Sequence, residues 1–147
     1  MPVRLTTPED EIMRQIEEDA ERWREELIMK LAVIGEKCVN EARMKGSYKD
    51  QTGNLRSSTG YVLVADGQIV TMSRFDIVRD GKKGSDDGRS FAESLARNHP
   101  KDIALIVVAG MHYAEYVAAR GYDVLDSSEL LAQQLMNQLM NQLRQQQ

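Results

Sequence analysis

A change of hydrophobic periodicity near residue 50 is the feature that most constrains the fold of this chain. Across residues 8–44 apolar side chains recur every three or four positions, as they do on one face of an α-helix. Across residues 59–74 they alternate with polar ones, which is typical of β-strands. Between the two patterns stand Gly53 and Asn54, the residue types that enter left-handed backbone conformations at least cost. The sequence therefore predicts a long helix, a tight turn with positive φ, and then strands.

The predicted first helix is long for a domain of 147 residues. Thr7 is its predicted N-cap and Pro8 its first helical residue, and a helix over residues 8–44 would extend roughly 55 Å. One small sheet cannot easily cover that length. Two interpretations remain open: the helix kinks near Gly35 and stays within one core, or part of its apolar stripe contacts another subunit.

The middle of the chain predicts an antiparallel sheet. Asp66 and Gly67, between two alternating runs, favour the two-residue type I′ turn of a hairpin. Residues 103–109 form the most apolar run, so we expect a strand buried on both faces at the sheet centre. Residues 112–119 predict one or two helical turns, and residues 122–125 predict an edge strand.

Two further segments have weaker patterns. Residues 76–88 are rich in Gly, Lys and Asp and predict a mobile surface loop, followed by a short helix over 90–98 with Ser90 as N-cap. A last helix is predicted over 126–144, with residues 144–147 fraying. Its four leucines are spaced four apart and drift about 40° per step, so we expect that they cannot all face a single flat core. They are Leu131, Leu135, Leu139 and Leu143. Contact with a partner or fraying at the end is one interpretation, and a low-complexity tail is the other.

The sequence as a whole predicts a single α+β domain over residues 1–147, with the N-terminal and C-terminal helices packed on a small antiparallel β-sheet.

Composition argues against several classes of function. The formal charge of −4 disfavours a general nucleic-acid binder, and the lone Cys38 excludes an intrachain disulfide. No run approaches the roughly twenty apolar residues of a membrane span, so membrane insertion is not expected. The segment Gly81-Lys82-Lys83-Gly84-Ser85 lacks the phosphate-loop pattern, and the nearby aspartates lack the spacing of a calcium loop. We therefore predict no cofactor, no metal and no small-molecule substrate.

The histidines supply little for catalysis. His99 precedes Pro100 and is interpreted as a surface histidine near the last carbonyls of a helix. His112 follows the central strand and is interpreted as a structural or interface residue. A catalytic nucleophile and base would need a histidine held by a carboxylate, and the sequence pattern shows no such group. A small soluble enzyme of hydrolase or nuclease type is therefore kept only as the second hypothesis.

Two short motifs carry a resemblance to a known family. Residues 52–58 resemble the T-G-x-L-R-x-S signature found where the first helix meets the sheet in the tail-component family of lambda-like tailed phages; the matching residues are Thr52, Gly53, Asn54, Leu55, Arg56 and Ser58. A second segment is similar to that family's Y-A-x-Y-V-E; the matching residues are Tyr113, Ala114, Tyr116 and Val117. The order of helices and strands is also similar, and residues 76–98 would be an insertion.

The resemblance implies a non-enzymatic virion protein at the head–tail junction, where it completes the tail or forms a ring in the neck. It would assemble in the bacterial host cytoplasm, as a ring of identical copies that contact neighbouring neck or tail proteins. No membrane and no sequence-specific nucleic acid would be partners. We interpret the turn motif as a positioning element, in which Arg56 pairs with a carboxylate on the long helix or on a neighbouring subunit. The predicted interface residues are Trp23, Leu27, Lys82, Lys83, Leu135, Met136, Leu139 and Met140.

Overall fold

In the part of the chain that the structure describes, four helices and a five-stranded antiparallel sheet form the α+β fold that the sequence predicts. The computed structural model describes residues 8–45, 53–120, 123–124 and 129–144. The elements in chain order are α1 (Pro8–Lys45), α2 (Asn54–Ser57), β1 (Gly60–Ala65), β2 (Gln68–Met72), α3 (Lys82–Ala96), β3 (Asp102–Ala109), β4 (His112–Arg120), β5 (Asp123–Val124) and α4 (Glu129–Arg144). The sheet order is β2-β1-β3-β4-β5.

The sheet is covered by helices on both faces. On one face α1 and α4 bury alternate side chains of β1 and β3, including Leu63, Leu105 and Val107. On the other face α3 and Phe75 cover the intervening residues, including Val62. β3 therefore lies at the centre of the sheet and is buried on both faces, as its apolar sequence predicts.

The hairpin of β1 and β2 turns through Asp66 and Gly67, whose φ angles are 52° and 80°. Positive φ at both positions is the requirement of the predicted type I′ turn, so this prediction is confirmed. The pairing is interrupted by an irregularity between Leu63 and Val64. The predicted edge strand is also present as β5, although Tyr122 and Leu125 lie outside the described residues.

α1 continues through Gly35 without interruption. A Cβ added to Gly35 would lie 2.8 Å from the ring of Tyr61 and 3.1 Å from Leu105. The glycine thus allows the helix backbone to approach the sheet closely. From Leu31 onwards one face of α1 is buried, whereas most of the half that precedes Leu27 is exposed. Thr7, the predicted N-cap, is outside the described residues.

The prediction of helical turns over residues 112–119 is wrong, because the chain forms the long strand β4 there. Gly110 has φ of 63° and lets the chain reverse directly after β3, so that Ala109 pairs with His112. Ala114 and Ala118 face the buried side. Small residues at these positions are compatible with either a helix or a strand, and pairing with β3 decides the outcome.

The prediction of a mobile loop over residues 76–88 is also wrong from Lys82 onwards, where α3 begins. Gly84, Gly88, Ala92 and Ala96 are four residues apart and form its buried face. Such small side chains let a helix pack closely on its neighbour. Ser90 consequently lies inside the helix rather than at its N-cap.

All four leucines of α4 are buried, and they face α1 as well as the sheet rather than a single flat core. Leu131, Leu135, Leu139 and Leu143 are between 0 and 3% exposed. The drift of roughly 120° along the stripe is accommodated because α4 contacts α1 as well as β3 and β4. A helix lying between two neighbours can bury a wide arc of its surface. Residues 126–128 and 145–147, which bear on the predicted helix ends, are outside the described residues.

Candidate functional site

The turn motif forms a one-turn helix that is fixed to the segment after β2. Gly53 has φ of 80°, as predicted, and a Cβ there would lie 1.9 Å from the carbonyl oxygen of Val78. The hydroxyl of Ser57 accepts a hydrogen bond of 2.7 Å from the backbone N–H of Val78. Both contacts require the turn and residue 78 to keep one relative position. Thr52, the first residue of the motif, lies outside the described residues.

The same turn packs against the first half of α3. The N–H of Gly84 donates to Oδ1 of Asn54 at 3.0 Å, and a Cβ on Gly84 would lie 2.1 Å from the Asn54 carbonyl oxygen. A Cβ on Gly88 would lie 2.5 Å from the carbonyl oxygen of Ser58. The glycines that look like loop residues in the sequence therefore form a helix–helix contact. Their spacing of four, continued by two alanines, is the signal that could have identified this helix.

The first motif segment contacts the turn that precedes the second motif. Oγ of Ser58 donates to the carbonyl oxygen of Leu55 at 2.6 Å and accepts a hydrogen bond of 2.6 Å from the N–H of Gly110. Gly110 is in the turn that leads directly into β4, which carries the second motif. In that motif the Tyr113 ring packs edge-on against Phe91 of α3, with centroids 5.8 Å apart. The first motif thus fixes the start of the strand that contains the second.

Arg56 connects the turn to the end of α1. Its Nε donates to the carbonyl oxygen of Arg43 at 3.2 Å. The last carbonyls of a helix lack partners within the helix and carry partial negative charge, so a guanidinium is favourable there. The partner of this nitrogen is a backbone carbonyl on the long helix, and the predicted carboxylate partner of Arg56 stays a prediction.

The predicted interface residues separate into three groups. Leu135 and Leu139 are 3% and 0% exposed and belong to the core, so the prediction is wrong for these two. Leu27, Met136 and Met140 are partly buried beside that core. Trp23 is 56% exposed, and Lys82 and Lys83 are exposed in the first turn of α3. The exposed and partly buried members remain accessible for contacts with other proteins.

A groove lies between α1 and α4. Its volume is about 1080 Å³, and Val33, Met136 and Met140 give it an apolar lining, while Lys30 and Lys37 lie along its α1 side. Sequence reasoning did not identify this groove, because it depends on which side of α1 the last helix covers. A smaller pocket of about 310 Å³ lies on the other side of α1, near Tyr61.

Cys38 and Tyr61 each have a pKa that is shifted by these surroundings. Burial, with a smaller contribution from Glu41, raises the pKa of the Cys38 thiol to about 11. Its Sγ lies 3.7 Å from the carbonyl oxygen of Ala132. Burial and the neighbouring Glu36 carboxylate raise the pKa of Tyr61. Cys38 is therefore a protonated, weakly nucleophilic thiol at neutral pH.

His99 is buried, at 4% exposure, and the interpretation of it as a surface residue is wrong. Its Nδ1 lies 3.3 Å from Oδ2 of Asp102, and its Nε2 lies 3.1 Å from Oε2 of Glu115. Its carbonyl oxygen accepts a hydrogen bond of 2.9 Å from the N–H of Gly67. The histidine thus connects the start of β3, the middle of β4 and the tip of the hairpin. The partner on β4 is distant in sequence, which is why local spacing did not reveal it.

We predict that replacing His99 with Ala destabilises the fold by about 2–3 kcal/mol, because the imidazole that contacts both Asp102 and Glu115 would be lost. His112, the other histidine, is half-buried at the start of β4 and serves as the matched control. His112→Ala should cost less than about 1 kcal/mol. Urea unfolding followed by circular dichroism measures both variants. Equal stability of the two variants would contradict a structural role for the carboxylate contacts of His99.

Neither a metal site nor a membrane span is found in the described part of the chain. Its His, Cys, Asp and Glu side chains include no group of three placed to hold a metal ion, and its helices include none long and apolar enough to cross a bilayer. No family model, curated protein or solved structure matches the chain. A functional assignment therefore depends on the internal contacts and exposed surfaces described above.

Proposed function

We propose that this chain is a non-enzymatic structural protein of a tailed phage or prophage, acting at the head–tail junction in tail completion or in a neck ring. The observation that carries the proposal is the hydrogen bond between Ser58 Oγ and the N–H of Gly110. The resemblance to the phage family rests on two short motifs that are far apart in sequence. Ser58 of the first motif is bonded to the turn that leads into β4, the strand that carries the second motif, as one structural unit would require.

The chemistry of the motif residues supports a positioning role. Gly53, Asn54, Ser57 and Ser58 are engaged with the segment after β2, with α3 and with the turn before β4. These contacts hold backbone segments together. A protein whose distinctive residues maintain its shape fits a structural role in a virion better than a reactive one.

Exposed apolar surface supports binding to other proteins. Ile12, Ile16 and Trp23 on α1 are each more than half exposed, and the α1–α4 groove presents further apolar side chains. Patches of this kind usually mark contacts with partners. The proposed partners are further copies of the chain in a ring and the neighbouring neck or tail proteins of the virion.

The alternative of a hydrolase or nuclease is less well supported by the histidines. Both ring nitrogens of His99 face carboxylate oxygens of the protein itself, Asp102 on one side and Glu115 on the other. A general base needs one nitrogen directed at the substrate or nucleophile. The arrangement around His99 therefore favours stability over catalysis.

In vitro complementation tests the proposed function. The gene for this chain is deleted from the phage or prophage that encodes it, and the resulting heads and tails are separated and mixed with purified protein. We expect joined particles in electron micrographs and recovery of infectious titre only when the protein is added. A Lys82→Glu, Lys83→Glu double variant with unchanged melting temperature tests whether the start of α3 contributes to the contact.

The proposal is wrong if deletion leaves joined, infectious particles, or if the purified protein binds neither heads nor tails while it turns over a small substrate. Protein denatured before addition is the control for nonspecific effects of the preparation. A folded wild-type protein that restores joining, compared with a denatured one that does not, would support the structural role.

A further inference from the structure

The N-terminal half of α1, residues 8–26, is called here the arm, and it carries an apolar stripe. In the described part of the chain Ile12, Ile16 and Trp23 remain 55–57% exposed, although they continue the helical spacing of the buried residues further along α1. Burying such side chains would remove a large apolar area from water. The arm thus presents one side of an amphipathic helix without a cover.

The stripe lies on the same side of α1 as the groove between α1 and α4. A separation of 18 residues corresponds to about five helical turns, so residues 18 apart point in the same direction. Three stripe residues each have such a counterpart that lines the groove. The pairs are Ile12 with Lys30, Ile16 with Ile34, and Trp23 with Glu41. One side of a single helix therefore carries an uncovered apolar stripe and, further along, an open apolar groove.

Charge is distributed unequally between the two halves of this helix. Residues 8–26 contain nine acidic and three basic residues, for a net charge of −6. Residues 27–45 contain two acidic and four basic residues, for a net charge of +2. Two such helices packed in parallel would place the acidic halves together. Packed antiparallel, each acidic half would lie against a basic half, and the helix dipoles would also be opposed favourably.

We propose that a second copy of this chain docks antiparallel along α1, so that the arm of each copy occupies the groove of the other. The stripe would then contact Met136 and Met140, and the acidic flanks of the arm would lie near Lys30 and Lys37. The contact is self-complementary about a twofold axis near the middle of α1, as a closed dimer requires.

The area available is sufficient for a specific dimer. Each arm of 19 residues is about 28 Å long and about 10 Å wide. Two arm-in-groove contacts would therefore bury roughly 1,100 Å² in total, near the lower end of the range for specific interfaces. We accordingly expect a dimer that forms reversibly and weakens as salt screens the charge pairing.

This inference concerns the free protein and does not rest on the proposed function. A dimer can be detected in solution without any phage particle, whereas head–tail joining is measured on particles. A monomeric protein that restores joining would contradict the dimer and leave the proposed virion role intact. A dimeric protein that fails to restore joining would contradict the virion role and leave the dimer intact.

Sedimentation velocity of the purified full chain tests the contact. Wild type is expected to sediment as a dimer at low salt, and Ile16→Glu should raise the dissociation constant at least about tenfold by placing a carboxylate in the groove. Met29→Glu is the matched control, because Met29 is 70% exposed and lies about 140° around the same helix from Ile16. It should leave the dissociation constant within about twofold of wild type.

Distance measurement between spin labels tests the orientation. Gln15→Cys introduces an exposed thiol on the arm, which reacts in preference to the buried Cys38. Antiparallel helices related by an axis near their midpoint place the two labelled positions about 35 Å apart, whereas a parallel pair places them roughly 10–15 Å apart.

Three outcomes would overturn the proposal. They are a wild-type protein that stays monomeric at low salt, equal effects of Ile16→Glu and Met29→Glu on the dissociation constant, and the short label distance of a parallel pair. Unchanged melting temperatures of both variants show that an effect on association is not an effect on folding, because neither side chain belongs to the core.

Discussion

Replacing Val107 with Asp is expected to remove much of the protein's stability. Val107 is fully buried at the centre of β3, where it pairs with Tyr61 of β1 on one side and Ala114 of β4 on the other. A carboxylate there would have neither water nor a cation as a partner, at a cost of about 4 kcal/mol or more. Because domains of this size are stable by roughly 5–15 kcal/mol, that loss removes much of the total. Thermal and urea unfolding followed by circular dichroism measure it.

The matched control for this variant is Val70→Asp. Val70 lies on the edge strand β2 and is 46% exposed, so its substitute carboxylate remains hydrated. We expect a change within about 1 kcal/mol. If Val107→Asp melts at the wild-type temperature, the central position assigned to β3 is wrong. If both variants unfold alike, the effect arises from loss of strand propensity rather than from burial.

Much of the fold could be predicted because its signals are local. The turn between β1 and β2 depends on Asp66 and Gly67 alone, and the burial of β3 follows from its own composition. The long helix α1 follows from a spacing that extends over its whole length. In each case the residues that carry the signal are also those that form the element, so the sequence suffices.

The errors occurred where a distant contact determines the local structure. Gly84 and Gly88 disfavour a helix in isolation, yet they permit α3 to pack on the turn at residues 54–58, and this close contact stabilises the helix. β4 is a strand because it pairs with β3, not because residues 112–119 favour one. The leucines of α4 are all buried because α1 lies beside that helix. The hydrophobic periodicity of a segment carries no information about such contacts with residues far away in the sequence.

The turn motif has one property that depends on a local residue and others that depend on distant contacts. Its positive φ could be predicted from Gly53, since that conformation is a property of the residue. Its partners could not be predicted, because Val78, Gly84 and Gly110 follow it by between 25 and 57 positions, as the sequence numbering shows. His99 is a similar case, since Glu115 reaches it from another strand.

Substituting Gly53 should therefore have two separable effects, which Gly67 allows us to distinguish. Both glycines have φ of 80°, so Gly→Ala introduces the same backbone strain of about 1–2 kcal/mol at each. At Gly67 the new methyl group would lie 3.5 Å from the nearest atom of Pro100, which is an ordinary contact. At Gly53 it would lie 1.9 Å from the carbonyl oxygen of Val78, which requires the backbone to move. We expect a loss of about 1–2 kcal/mol for Gly67→Ala and at least about 4 kcal/mol for Gly53→Ala.

Urea unfolding of the two alanine variants measures this difference directly. Displacement of the turn would also disturb the hydrogen bonds of Ser57 with Val78 and of Ser58 with Gly110, so the larger loss should be accompanied by faster hydrogen exchange at residues 78 and 110. Gly67→Ala should leave exchange at both amides unchanged. Equal losses of stability would mean that strain at positive φ accounts for the whole effect and that the contact with residue 78 contributes nothing. The role of the turn in fixing the start of β4 would then have to be abandoned, because the position of the turn relative to residue 78 would not be fixed.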